Sequence, residues 1–256
     1  MSYLLDNEAP EAGDRFGALS ATFDGWTRAH LDAIGLAPGW ACWEVGAGGP
    51  TVPAWLADRV GPAGRVVATD LDISWIPADA SFSAQRRDVA TDPPPDGLFD
   101  LVHARLVLTH VPRRDEALRR MADALRPGGW LIVEDFDVSV QPRACPDAAT
   151  PEEDRANRLR EGFIELLVQQ GVDLTFGRTL RRRLLGLGLV DVGAEAYAPL
   201  AVPATRRLEI ANTLQVRGGL DGLGFGDEVD AHLEALAAGR IDVATPPLVT
   251  AWGRHP

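Results

Sequence analysis

The stretch that most constrains this chain is a short glycine-containing segment, Trp43–Pro50, which reads WEVGAGGP. An apolar run enters it from Trp40, and residues 52–60, which leave it, place their apolar side chains on one helical face. This order predicts a strand, a glycine turn and a helix. Glycine lets a backbone approach a ligand closely, and the first turn of a helix presents unpaired N–H groups. The segment therefore predicts a site for a nucleotide-like ligand.

The spacing of the glycines separates two classes of nucleotide ligand. A dinucleotide fingerprint, G-x-G-x-x-G, requires a third glycine at the position where this chain has Thr51. Instead, Glu44 stands two residues before the first glycine, where an acid can hold a cationic group. We infer that the ligand carries a positive charge as well as a ribose.

Composition excludes several classes of partner. The 256 residues fit one α/β domain with appendages, and the net charge of −12 argues against nucleic acid or an anionic membrane. The two cysteines, Cys42 and Cys145, can build neither a disulfide framework nor a zinc site, and no other metal-ligand spacing is present. Residues 1–17 lack a signal-peptide core, and no segment approaches a membrane span. We expect a cytoplasmic protein with no metal.

Strand patterns alternate with helical patterns along the chain, which is typical of a parallel sheet covered on both faces. An irregular, polar arm is predicted for 1–17, and a helix for 23–34 with its apolar residues at helical spacing. The predicted strands are 40–45, 65–70, 85–89, 98–103, 130–135, 189–201 and 247–252, and a glycine-rich helical insert fills 204–245.

Five segments in order form a familiar pattern: Glu44–Gly49, Val67–Asp72, Asp88–Val89, Phe99–Arg105 and Leu125–Gly129. Together they resemble the class I S-adenosylmethionine-dependent methyltransferases, in particular their bacterial small-molecule branch. The resemblance covers roughly 40–137. It implies an α/β, Rossmann-like fold whose seven-stranded, mostly parallel sheet has helices on both faces and a last strand that runs antiparallel between the fifth and sixth.

The same resemblance implies a single methyltransferase domain over 1–256, extended by an N-terminal helical cap and by a helical insert before the last strand. Its expected parts are an arm and cap helix (1–37), a cofactor-binding half (38–137), a substrate-side half (138–203), a lid-like insert (204–245) and the last strand (246–256).

Part of the implied cofactor site would hold the methionine end of S-adenosylmethionine. The backbone of Gly46, Ala47 and Gly48 would contact the methionine and ribose portions, and Glu44 would hold the ammonium directly or through water. Arg28, on the N-terminal helix, would pair with the methionine carboxylate. Pro50 stands where related sequences usually have Gly or Ser, and we expect a stiffer loop with intact binding.

The rest of the implied cofactor site would hold the nucleoside. Asp70, at the end of the second strand, would accept hydrogen bonds from both ribose hydroxyls, as acids do in dinucleotide folds. Leu71 would pack on the adenine face, Asp88 would accept from the adenine amino group, and the Val89 N–H would bind a ring nitrogen. Ala104 would line the methionine arm.

Methyl transfer is an in-line displacement in which the leaving thioether needs no acid, so orientation supplies much of the acceleration. A base is required only when the acceptor must lose a proton. Candidates follow the carboxyl ends of the strands: His103 and His110 after the fourth strand, and the acids Glu134, Asp135 and Asp137 near the end of the fifth.

The sequence therefore predicts a methyltransferase that converts S-adenosylmethionine to S-adenosylhomocysteine and methylates a small molecule, plausibly in specialised metabolism. It is expected to act as a monomer or homodimer, without a nucleic-acid or membrane partner. Three alternatives stay open. One is an enzyme that binds the same cofactor but catalyses cyclisation or decarboxylation. Another is a methyltransferase that acts on RNA or protein, of which RNA is opposed by the acidic charge balance. The third, disfavoured by Thr51 and Glu44, is a nicotinamide-dependent oxidoreductase.

Overall fold

A computed structural model describes residues 4–7 and 9–256 of the chain. The helices that it shows are α1 (Ala12–Ala33), α2 (Thr51–Val60), α3 (Arg114–Asp123), α4 (Pro151–Gln169), α5 (Phe176–Gly186), α6 (Pro203–Gly222) and α7 (Gly226–Ala237). The strands are β1 (Ala41–Val45), β2 (Arg65–Asp70), β3 (Ser83–Arg86), β4 (Phe99–Arg105), β5 (Leu125–Phe136), β6 (Val190–Tyr197) and β7 (Leu248–Arg254), and Leu108–His110 forms a short 3-10 helix.

The chain divides into two compact units. The first, here called the sheet unit, comprises residues 24–136, 175–197 and 248–256. The second, the helical unit, comprises residues up to Phe23, 137–174 and 198–247, so the division passes through α1. The single-domain organisation and the lid-like role of 204–245 stay predictions.

The strands of the sheet unit follow the order β3-β2-β1-β4-β5-β7-β6. β1 pairs with β2 and β4 in parallel, and β4 pairs in parallel with β5, whereas β7 runs antiparallel between β5 and β6. The predicted Rossmann-like sheet with an antiparallel last strand between the fifth and sixth is thereby confirmed. All the parallel strands end at one edge, and the glycine segment after β1 lies at that edge.

The two faces of the sheet are packed differently because side chains alternate along each strand. One face is largely apolar and packs against α3 and α5, with Trp43, Val102 and Val133 in its core. The opposite face is apolar only at its amino end, where Cys42, Leu101 and the α1 residue Leu31, among others, form a second core. Toward the carboxyl end this face carries charged residues, which form the site described below.

The helical unit has its own cores, built by α4, α6 and α7. Helix α4 begins at a capping box in which Thr150 and Glu153 exchange side-chain and backbone hydrogen bonds. Inside the unit, Arg160 donates to Glu209 at 2.6 Å. Burial alone would raise the pKa of Glu209, but Arg160 and His232 lower it to about 2. The unit therefore buries a salt bridge among its apolar contacts.

Several element boundaries differ from the sequence predictions, and two of the differences involve local hydrogen bonds. Helix α1 begins at Ala12 inside the predicted irregular arm, where the buried Arg15 donates to Asn7 and to the Leu5 carbonyl. Strand β3 ends at Arg86, two residues before Asp88, because the Asp88 carboxylate accepts the Ala90 N–H and turns the chain. The expected arm also includes residues 1–3 and 8, which lie outside the described residues.

Within the described ranges, no helix is both long enough and apolar enough to cross a membrane.

The helical insert predicted for 204–245 consists of α6 and α7, which are separated by a short turn at 223–225.

We predict that Gly177→Ala destabilises the sheet unit, because a Cβ at Gly177 would lie 2.6 Å from the Asp135 carbonyl oxygen. Overpacking against backbone costs about 1–3 kcal/mol, which should lower the melting temperature by several degrees. Gly186→Ala is the matched control in the same helix, since its Cβ would meet nothing within 4 Å. Equal melting temperatures for the two variants in a thermal scan would contradict this packing of α5 on β5.

Candidate cofactor and catalytic site

The glycine segment is held in place by β2. Gly46 and Ala47 both donate their N–H groups to the Thr69 carbonyl oxygen, at 2.7 and 3.1 Å, and Gly48 donates to Asp70 Oδ2 at 2.8 Å. These hydrogen bonds fold the segment over the end of β2. Its conformation is therefore set by the protein's own hydrogen bonds, as a preformed binding loop requires.

Gly46 is needed for two separate reasons. Its φ of +64° lies in the left-handed region that favours glycine, and a Cβ there would lie 2.2 Å from Val107 Cγ2. Val107 follows Leu106, which itself has a φ of +58°, a conformation that leucine rarely adopts. The strained turn after β4 thus brings Val107 onto the glycine segment after β1.

Asp70 and Leu71 differ sharply in exposure although they are neighbours. Asp70 is buried, and its second oxygen, Oδ1, accepts the Asp72 N–H at 3.0 Å. The pKa of Asp70 is raised by burial. The backbone N–H groups of Asp72, Gly48 and Leu71 lower it, but each by less than burial raises it. The Leu71 side chain is 56% exposed.

The remaining nucleoside candidates follow β3 and β4. Asp88 Oδ1 accepts the Ala90 N–H at 2.7 Å, and the Val89 carbonyl accepts from Arg120 at 3.1 Å. Both residues are half-buried. Ala104 is buried in the core beside β1, with Val45 as its register partner. The cofactor roles of these residues stay predictions.

At the charged end of the other sheet face, His103 lies between two glutamates. Its Nδ1 is 2.7 Å from Glu44 Oε2, and its Nε2 is 3.4 Å from Glu134 Oε2. The second distance makes a charge contact rather than a well-aligned hydrogen bond. His103 and Glu134 are fully buried, and Glu44 is 3% exposed. We call this carboxylate–imidazole–carboxylate cluster the Glu–His–Glu centre.

Hydroxyl groups complete the environment of Glu134. Thr27 on α1 donates to Glu134 Oε2 at 2.5 Å, and Thr250 on β7 donates to Glu134 Oε1 at 2.7 Å. Each hydroxyl in turn accepts a hydrogen bond, from Arg105 at 2.8 Å and from Trp26 at 2.7 Å respectively. The network therefore joins β1, β4, β5 and β7 to the second half of α1.

Neighbouring charges in the Glu–His–Glu centre shift the pKa values of His103 and Glu134. Burial alone would lower the pKa of His103, but Glu44 and Glu134 raise it to about 9. Burial alone would raise the pKa of Glu134, but His103, Arg105 and Thr27 hold it below its usual value. At neutral pH, His103 is therefore an imidazolium and the neighbouring Glu134 is a carboxylate.

Arg28, the predicted partner of the methionine carboxylate, lies at the outer end of this network. It pairs with Asp24 Oδ2 at 3.1 Å, while Arg105 pairs with Asp24 Oδ1 at 2.8 Å. The Arg28 side chain is 38% exposed, in contrast to that of Arg105, which is 11% exposed. Arg28 is thus oriented by Asp24 but remains open to solvent.

The two candidate bases of the sequence have different surroundings. His103 belongs to the buried centre, whereas His110 is half-buried and ends the 3-10 helix. That short helix is fixed by Asp135, whose Oδ2 accepts the Thr109 N–H at 3.1 Å. Burial raises the pKa of Asp135 to about 7, although the N–H groups of Thr109 and Phe136 lower it. The catalytic roles of both histidines stay predictions.

Sequence reasoning missed the residues that complete the Glu–His–Glu centre: Trp26, Thr27, Arg105 and Thr250. One signal was available. His103 and Arg105 are charged residues two apart on a buried strand, which places both on the same face. Within the part of the chain that the structure describes, no group of three or more His, Cys, Asp or Glu side chains could hold a metal ion.

Comparison with known proteins shows which proteins this chain is similar to. Residues 43–133 match a family model described as a methyltransferase domain. The chain is 32% identical to methyltransferase str3 of Strobilurus tenacellus over 146 residues, which are 54% of this chain and 48% of that protein. It is 30% identical to the ubiquinone/menaquinone biosynthesis C-methyltransferase UbiE of Hahella chejuensis over 127 residues, 46% of this chain and 51% of that one.

These matches confirm the predicted resemblance to the class I S-adenosylmethionine-dependent methyltransferases. A solved structure, described as a putative methyltransferase from an antibiotic biosynthesis pathway of Anabaena variabilis, matches the fold with a TM-score of 0.60 and 17% identity. That match covers 88% of this chain and 95% of that one. The chain spans about half the length of the two relatives named above.

We predict that Gly46→Ala is more destabilising than Gly35→Ala. Both glycines have a positive φ, which costs alanine about 1–2 kcal/mol, but a Cβ at Gly35 would meet nothing within 4 Å. Only Gly46→Ala adds the clash with Val107, so its melting temperature should fall further. Adding Val107→Ala to Gly46→Ala should recover part of the difference, and no recovery would refute the proposed contact.

We also predict a pH-dependent stability that depends on His103. Because the folded-state pKa is raised from 6.5 to about 9, the stabilisation is complete below pH 6.5 and is lost as the pH rises through 9. Relative to His103→Gln, the wild-type melting temperature should fall by roughly 5 °C or more between pH 7 and pH 10. His255→Gln, a change near the C-terminus, should keep the wild-type profile. Parallel curves for the wild type and His103→Gln would disprove the assignment.

Proposed function

We propose that this protein is an S-adenosylmethionine-dependent methyltransferase that methylates a small-molecule acceptor. The observation that carries the proposal is the arrangement at the end of β2 within a methyltransferase domain. There the buried Asp70 carboxylate lies against the glycine segment, and the exposed Leu71 side chain follows it. A carboxylate suits two ribose hydroxyls, and an exposed leucine beside it suits the face of an adenine.

The residues present fit the cofactor. Gly46 has the positive φ of +64° that shapes the glycine segment, and it carries no side chain that could keep a ligand away from the backbone. Glu44 supplies a carboxylate for the ammonium, and the partly exposed Arg28 supplies a guanidinium for the methionine carboxylate. Bound at these residues, S-adenosylmethionine would supply an electrophilic sulfonium methyl group.

A small-molecule acceptor is supported by the names of similar proteins and by charge. UbiE is named as a C-methyltransferase of ubiquinone and menaquinone biosynthesis, and the Anabaena structure is attributed to antibiotic biosynthesis. The net charge of −12 disfavours an RNA acceptor, because RNA binding rewards clustered basic residues. We therefore place the acceptor among small metabolites, plausibly those of specialised metabolism.

The chain's own contribution to catalysis is chiefly orientation. The methyl group moves to an acceptor held in line with the sulfur, and no acid is needed for the leaving thioether. An acceptor that must lose a proton needs a base, and His110 is the candidate that retains exposure. Asp135 holds the 3-10 helix of His110 through the Thr109 N–H and so controls where that imidazole lies.

We predict that Asp70→Asn weakens binding of S-adenosylhomocysteine by about 10-fold or more, because a charge-assisted hydrogen bond contributes about 1.5–3 kcal/mol. Isothermal titration calorimetry measures the change. Asp100→Asn is the control, since it removes one carboxylate at the opposite end of the sheet, where Asp100 binds the Ala41 N–H and Arg126. Equal affinities for the two variants would contradict the placement of the ribose.

The activity itself is tested by incubating the purified protein with S-adenosylmethionine and a panel of small phenols, quinols and amines. Formation of S-adenosylhomocysteine together with a product heavier by one methylene would support the proposal. Cofactor binding and conversion of a substrate without formation of S-adenosylhomocysteine would favour a non-methylating enzyme. Binding of a nicotinamide dinucleotide in preference to the sulfonium would overturn the proposal.

A further inference from the structure

Both nitrogens of the His103 ring face a carboxylate. Nδ1 lies 2.7 Å from Glu44 and Nε2 lies 3.4 Å from Glu134, and the side chain has no exposed surface. A histidine that accepts a proton from a substrate needs a free ring nitrogen within reach of that substrate. An imidazolium between two carboxylates offers no lone pair and no access. The geometry therefore favours a role for His103 other than proton abstraction.

The Glu44 side of the centre leads directly to the proposed cofactor site. Glu44 is the next-to-last residue of β1, two positions before Gly46. Its Oε2 is held by His103, and among the described residues no hydrogen-bond donor contacts its Oε1. One carboxylate oxygen is thus fixed by the protein, and the other can still accept a hydrogen bond from a ligand's ammonium group.

The Glu134 side of the centre leads to helix α1. Thr27 binds Glu134, and Arg105 binds both Thr27 and Asp24, the residue that also holds Arg28. The residues proposed for the two charged ends of an amino acid, Glu44 and Arg28, therefore belong to one continuous network. His103 is the only link in it between β1 and β5 among the contacts that the structure describes.

Charge explains why a cation is required at this position. Glu44 and Glu134 would otherwise be two buried carboxylates near each other, and like charges repel strongly in a poorly solvated site. The His103 cation lies between them and offsets that repulsion.

We propose that His103 is a positioning residue that holds the Glu44 carboxylate in the orientation needed for the ammonium group of the cofactor's amino-acid portion. This inference rests on the proposed function and adds to it a specific recognition step. In this assignment, the network that connects Glu44 with Arg28 binds the amino-acid end of the ligand. Asp70 and Leu71 bind the nucleoside end.

The test compares two ligands that share the nucleoside but differ at the amino-acid end. S-adenosylhomocysteine carries the ammonium and carboxylate, and 5′-methylthioadenosine carries neither. For His103→Gln, calorimetry should show an S-adenosylhomocysteine affinity weakened about 10-fold or more, with the 5′-methylthioadenosine affinity within about 2-fold of wild type. A merely structural defect would weaken both ligands alike, so the ratio of affinities reports positioning.

A second variant guards against poor folding of the first. Glu44→Gln keeps the shape of the side chain and should show the same selective loss, whereas His255→Gln should keep both affinities. Equal loss of both ligands in His103→Gln or Glu44→Gln, or no loss of S-adenosylhomocysteine in either, would overturn the positioning role. A wild-type protein that binds neither ligand would overturn the proposed function, and this inference with it.

Discussion

The structure depends on how two buried glutamates are kept on one face of the sheet. Glu44 and Glu134 lie on β1 and β5, and moving a carboxylate out of water costs several kcal/mol unless a cation and hydrogen bonds replace the lost water. His103 provides the cation, and the Thr27 and Thr250 hydroxyls provide hydrogen bonds to Glu134. Because these partners come from α1, β4 and β7, satisfying the two acids fixes the relative positions of all these elements.

This polar arrangement occupies only the carboxyl end of its sheet face. Toward the amino end, the same face is an ordinary apolar core that includes Leu31, Cys42 and Leu101. Apolar packing would stabilise the carboxyl end at least as well, since a buried ion pair is often no more stabilising than a well-packed apolar replacement. Charges held at the edge where the glycine segment lies are therefore better explained by ligand recognition than by stability.

Much of the fold could be predicted from the sequence because its signals are local. The glycine segment and the alternation of strands and helices predicted a parallel sheet covered by helices. The family resemblance of the five motifs implied the antiparallel last strand, and the resulting seven-stranded sheet is confirmed. The Glu–His–Glu centre could not be predicted, because it depends on strand register: Glu44 and His103 are 59 residues apart, and Thr250 is 116 residues from Glu134. A lone threonine on α1 or β7 carries no sign of a distant carboxylate.

Two consecutive acids at the end of β5 act on opposite sides of the sheet. Glu134 binds Thr27 of α1 on one face, and Asp135 binds the Thr109 N–H of the 3-10 helix on the other, because neighbouring side chains in a strand point to opposite faces. Their surroundings separate their pKa values: His103 lowers that of Glu134, while burial raises that of Asp135 to about 7. The end of β5 thus binds two separate elements. Glu134 binds α1, which carries Arg28, and Asp135 binds the 3-10 helix that carries His110.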